Sequence, residues 1–268
     1  MKAQKKGAFS VSQKALLSKR GQIALFVIIA IMLVGAVLVL LIAKPKIPFI
    51  TPEKIDVESY IQKCATDSMT AAADKIMSQG GFLDLNNTEK IMYKGSYVAY
   101  LCYTTEFYRP CVNQAPLLEN QIAKQINDYS KPLMEKCILK LKANLENKGY
   151  TASIGALNTS VTLFPKSIIM NISLPITATK GDETLAYEGF DSKISSPAYE
   201  FASLANEIIN SEITYGDFND INYIMFHPDM MIYKDKINFD KFYTLEMNGK
   251  LFVFSVRSNV IPEGWRMK

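Results

Sequence analysis

Residues 242–256 read FYTLEMNGKLFVFSV and carry the clearest structural signal in the chain. Two apolar-rich runs, Phe242–Met247 and Leu251–Val256, flank Asn248-Gly249. An Asn-Gly pair supplies the two positive-φ residues of a tight turn, so the stretch is expected to be a β-hairpin. Upstream, Ile168, Met170, Ile172, Leu174 and Ile176 alternate with Ser167, Ile169, Asn171 and Ser173. A period of two predicts a strand with one buried face. Lys180-Gly181-Asp182 then turns the chain into a partner strand near 183–192. Further short strands are expected near 221–226 and 230–237. Strands joined by short turns pair antiparallel.

Helical spacing appears elsewhere. Thr51-Pro52-Glu53 has the signature of a helix start. Val57, Ile61, Cys64, Ala65, Met69, Ala72, Ala73 and Ile76 then recur at helical intervals up to Gly80-Gly81. A second helix is expected from Pro116 to Asn147, with Pro132 breaking or kinking it after Lys131. A third follows Ser196-Pro197, with Phe201, Leu204, Ala205, Ile208 and Ile209 facing inward. Residues 90–110 predict two short strands rich in Tyr and Phe. Such a surface can recognise a partner, although aromatic strands more often pack a sheet. The fold class is therefore α+β, an antiparallel sheet with packed helices.

The first 50 residues differ from the rest. Of the 268 residues, 30 are Lys or Arg and 26 are Asp or Glu. Six of the cations, Lys2, Lys5, Lys6, Lys14, Lys19 and Arg20, lie in residues 1–22, and the first acid is Glu53. Ile23 to Ala43 carries no charge. As a helix it would be about 31 Å long, the thickness of a hydrocarbon core. A transmembrane helix is expected over 23–43, stopped by Pro45 and Pro48. The cations before it place the N-terminus in the cytoplasm and the C-terminal domain outside. The expected organisation is a basic tail or leader over 1–22, the span over 23–43 and a linker over 44–54. The outer domain would have a helical part with a short hairpin over 55–149 and a sheet part with one helix over 150–268. The bilayer is the partner implied, and nucleic acid is not.

Lys19-Arg20-Gly21-Gln22 sits immediately before the apolar run. This resembles the class III signal of archaeal type IV pilin-like proteins. In that family a prepilin peptidase cuts after the glycine, and the apolar helix becomes the mature N-terminus. The resemblance implies cleavage between Gly21 and Gln22 and filament or envelope proteins as partners. Phe26 stands where bacterial pilins carry glutamate. The outer domain also resembles a set of uncharacterised archaeal membrane proteins. Its matching features are Cys64 to Gly80-Gly81-Phe82, then Glu119-Asn120-Gln121 and Cys137-Ile138.

Cys64, Cys102, Cys111 and Cys137 all lie beyond the apolar run. An even number there fits an oxidising compartment. Three pairings are possible, and free buried thiols are an alternative. Cys102–Cys111 and Cys64–Cys137 are favoured, the first as a local clasp and the second as a tie between two helices. Asn86, Asn158 and Asn171 each open an N-x-Ser/Thr acceptor triplet for glycosylation.

Motifs for chemistry are missing. The single histidine, His227, excludes a multi-histidine metal site. There is no P-loop, GxGxxG, HExxH or GxSxG. Asp217, Asp220, Asp229, Asp235 and Asp240 cluster in sequence without calcium-loop spacing. They read as solvated turn acids. No catalytic residue, cofactor or metal ligand is assigned. The expected function is a non-enzymatic, membrane-anchored pilin-like or surface interaction and adhesion component. The alternative is a membrane-anchored extracytoplasmic hydrolase.

Overall fold

A computed structural model describes residues 19–42 and 56–260, with side chains in the first segment from Phe26 to Leu38. The chain divides into two compact units, Met1–Lys54 and Ile55–Lys268. In the first, α1 (Lys19–Ile42) is helical. From Phe26 to Leu38 its large apolar side chains are all exposed. Among the described residues, however, no helix is long and apolar enough to cross a membrane. The expected single-pass transmembrane helix over 23–43 is corrected accordingly. What stands there is a helix with an exposed apolar surface. Residues 1–18, the linker 44–54 with Thr51-Pro52, and Trp265 lie outside the described residues.

The second unit is α+β. It opens with α2 (Val57–Met77), capped by Asp56, whose carboxylate accepts the Ser59 N–H at 3.1 Å. A hairpin, β1 (Lys90–Tyr93) and β2 (Ser96–Tyr103), and a two-residue β3 (Val112–Asn113) follow. Next come α3 (Leu118–Asn147), β4 (Thr151–Ile154), β5 (Asn158–Phe164), β6 (Ser167–Lys180) and β7 (Glu183–Ser195). The chain ends in α4 (Ala198–Tyr215), α5 (Asp220–Phe226), β8 (Met231–Ile237), β9 (Asp240–Met247) and β10 (Lys250–Arg257).

Two sheets result. In the smaller, β6 is the central strand: β4 and β5 share one edge and β7 takes the other, all antiparallel. Its even-numbered residues from Ile168 to Ala178 are buried and its odd ones face outward, as alternation requires. The larger sheet runs β1-β2-β10-β9-β8, with β3 also on β2. Asn248 and Gly249 both have positive φ, 52° and 72°, at the β9–β10 turn. Pairing is not antiparallel throughout, because β10 lies parallel to β2. Parallel neighbours need a long crossover, and here it contains β3 to β9, beyond the reach of short-turn reasoning.

Helices α2 and α4 touch both sheets, and α3 lies on α2 and β5. One continuous core joins them, including Ile61 and Met69 of α2, Ile126 and Leu141 of α3, Phe201 of α4 and Phe252 of β10. Disulfides join Cys64 to Cys137 and Cys102 to Cys111. These are the two pairings favoured from sequence. Two local expectations fail. Helix α3 runs through Pro132 unbroken. Buried Ile126 and Met134, with the Cys137 bond, hold it on both sides of the proline, against a cost of about 3 kcal/mol. Residues 220–226 form a helix, not a strand. Asn219 caps it by accepting the Asn222 N–H at 3.0 Å, and apolar spacing in so short a run fits either period.

The β6–β7 register shifts between Ser173 and Ile176. Gly189 sits opposite Ser173, and a Cβ there would come 2.8 Å from the Ile172 carbonyl oxygen. The backbones must approach closely at this irregularity. Gly189→Ala is expected to destabilise the domain by about 1–3 kcal/mol in urea unfolding. An unchanged midpoint would show that the strands yield there.

Candidate functional site

A cleft of about 680 Å³ lies at one end of the larger sheet. Its floor comes from the inward faces of β8 and β9. Lys234 and Lys236 are two apart on β8, so they share a face. Lys241 on β9 is directly opposite Lys236. Gly216 and Asp217, which link α4 to α5, form one wall, and Ser258–Val260 another. Phe107, Tyr108 and Phe239 form the rim.

Under the floor lies a buried ion-pair network. Glu212, in the last turn of α4, is fully buried. Lys241 Nζ donates to both of its carboxylate oxygens at 2.8 Å, and the Tyr243 hydroxyl donates to one of them. Lys241 also donates to the Gly216 carbonyl and to Asp217 Oδ1. Lys234 bridges Asp217 at 3.1 Å and Asp220 at 3.2 Å. Burial, and then the Glu212 charge, push the Tyr243 hydroxyl pKa well above its ordinary value. Tyr243 thus stays a neutral donor. Burial tends to raise the Asp217 carboxyl, but the Lys234 and Lys241 ammonium groups outweigh it and hold it below the ordinary value.

The rim is fixed by covalent and polar ties. The Cys102–Cys111 bond closes the loop that carries Phe107 and Tyr108. Thr104 N–H donates to the Arg257 carbonyl at 3.1 Å, and Arg109 pairs with Glu106 at 2.8 Å. Asn259 Nδ2 donates to the Glu106 carbonyl at 3.2 Å. Tyr108 has φ +62°, a left-handed conformation rare for an aromatic residue. Phe107 meets Phe239 edge-on at 5.5 Å. Phe107, Tyr108 and Phe239 are nonetheless 62%, 76% and 54% exposed. Three large aromatic side chains thus lie together and open to solvent at this cleft.

The residues singled out from sequence fall in several places. Gly21 and Gln22 lie in the first turn of α1. Asn86, Asn158 and Asn171 are exposed. Asn158 lies opposite Ser173, and Asn171 opposite Ser160, so two acceptor triplets face each other across β5 and β6. His227 closes α5, stacked on Tyr223 at 4.1 Å. Asp229 is exposed in a turn, as expected, whereas the other four aspartates are not simply solvated turn acids. Asp217 and Asp220 pair with Lys234, and Asp235 bonds Tyr93 and Lys94. Asp240 is buried, accepting from Tyr100 at 2.8 Å and from Arg257 at 2.7 and 3.1 Å. Sequence reading missed Glu212 and the three lysines. The usable signal was Lys234 and Lys236, two apart on an expected strand.

Among the described residues, no group of three or more His, Cys, Asp or Glu could hold a metal ion. No protein-family model, no curated protein and no solved structure matches the chain.

The lowered Asp217 pKa gives a pH signature. A carboxyl depressed in the folded state stabilises above its unfolded pKa of about 3.9 and loses that contribution as pH falls through the folded pKa. The melting temperature of the wild type is expected to fall more steeply below about pH 4 than that of Asp217→Asn. Parallel curves from pH 6 to pH 2 would contradict the pairing.

Proposed function

We propose that the protein is a non-enzymatic, pilin-like surface interaction component whose disulfide-bonded domain works outside the cytoplasm. The observation that carries this reading is the fixed rim of exposed Phe107, Tyr108 and Phe239 over the cleft. Aromatic side chains held rigid lose little entropy on binding, and they dominate the energetics of many interfaces. The two disulfides fit an oxidising compartment. The exposed apolar surface of α1 suits assembly with other subunits or envelope proteins. On this reading a prepilin peptidase cuts between Gly21 and Gln22. The first turn of a helix is a favourable place, because its N–H groups lack intrahelical partners and it frays.

Protein isolated from its native cells is expected to begin at Gln22 by mass spectrometry. A native chain beginning at Met1 would overturn the pilin-like route. Retention on envelope fragments from those cells should weaken at least tenfold in the triple variant Phe107→Ala/Tyr108→Ala/Phe239→Ala, at an unchanged melting temperature. Equal retention would overturn the recognition role of the rim.

A further inference from the structure

Charge in the cleft is compensated unevenly. Lys234, Lys236 and Lys241 crowd one face of the β8–β9 pair, with Lys236 directly opposite Lys241. Like charges facing each other across strands are destabilising. Lys241 is offset by Glu212 and Asp217, and Lys234 by Asp217 and Asp220. Lys236 is exposed, and it has no ion-pair or hydrogen-bond partner among the described residues. Among the described residues, one ammonium group is therefore left uncompensated in a cleft whose other cations are satisfied.

Building on the recognition role proposed for the rim, we infer that the cleft receives a protein segment carrying a carboxylate beside an aromatic or large apolar side chain, with Lys236 taking the carboxylate. The aromatic edges of Phe107 and Phe239 offer the apolar contact at the mouth. Lys236 lines the same cleft and offers the charge. Aromatic rings and an ammonium group lining one cleft match a ligand whose acid and apolar group are neighbours in sequence. A single free ammonium fits a single carboxylate. A polyanion such as a nucleic acid would meet Asp217 on the same wall and Asp220 behind it. The ligand is thus acidic at one point and apolar next to it. The rim's disulfide, ion pair and backbone ties hold the receptor ready, so little ordering is needed on binding.

The test uses the full chain in mild detergent and a fluorescein-labelled pentapeptide with glutamate between two phenylalanines. A control peptide has glutamine in place of the glutamate. Fluorescence anisotropy is expected to show at least tenfold tighter binding of the glutamate peptide, a difference that shrinks with added salt. Lys236→Met should erase that difference and leave the affinity for the glutamine peptide unchanged. Equal affinities of the two peptides for the wild type, a difference that survives in Lys236→Met, or no binding of either peptide would overturn the assignment. Envelope retention that depends on the rim while the two peptides bind alike would keep the recognition role and remove Lys236 as its carboxylate receptor. Loss of rim dependence itself would remove the recognition role instead.

Discussion

A fully buried carboxylate in the last turn of α4 constrains the whole cleft end of the domain. Glu212 is placed where a helix disfavours negative charge, next to the C-terminal carbonyls. An unpaired charge buried there would cost several kcal/mol. Lys241 answers both needs. Its ammonium group binds the Glu212 carboxylate and also the carbonyl of Gly216, the αL cap that ends α4. Ser258 adds a bond at 3.1 Å to the Glu212 carbonyl. Thus α4, β9 and the segment after β10 meet at one point.

The cleft is a consequence of that junction. With Lys241 drawn down onto Glu212, the end of β9 is fixed, and β8 follows it through antiparallel pairing. Lys234 is then within reach of Asp217 and Asp220 at the start of α5. The disulfide loop closes over the same end because β3 pairs with β2, and Thr104 is tied to Arg257 at the end of β10. Covalent closure restricts the unfolded chain, so this short loop contributes about 2.5 kcal/mol and the longer Cys64–Cys137 loop about 4 kcal/mol. A rigid frame under exposed aromatic rings is the arrangement expected of a docking surface, where preorganisation and not area sets affinity.

Much of the framework was legible in the sequence, for identifiable reasons. Asn248-Gly249 and the alternation around Ile172 depend on local backbone physics, and both elements fold as local rules require. The inward residues of α4, from Phe201 to Ile209, follow from helical period alone. What local rules missed depended on distance along the chain. The parallel β2–β10 pair joins strands separated by most of the domain. Pro132 is tolerated because α2 grips α3 on both sides of it. Glu212 and Lys241 are 29 residues apart and carry no motif. The same holds for Asp240, which the sequence presents as a turn acid and the fold buries against Arg257. For the apolar run after Gln22, composition predicted a membrane span. Among the described residues, however, no helix is long and apolar enough to cross a membrane.

The claim that the Glu212–Lys241 pair organises this end of the domain is tested most directly by a double-mutant cycle in urea unfolding, using Glu212→Leu, Lys241→Met and the two together. Lys241→Met leaves the buried Glu212 without its cation, and Glu212→Leu leaves Lys241 with only Asp217 and the Gly216 carbonyl; each is expected to cost about 3–5 kcal/mol, while the double variant should recover at least about 2 kcal/mol relative to the sum. Additive losses, with no coupling between the two positions, would contradict the account.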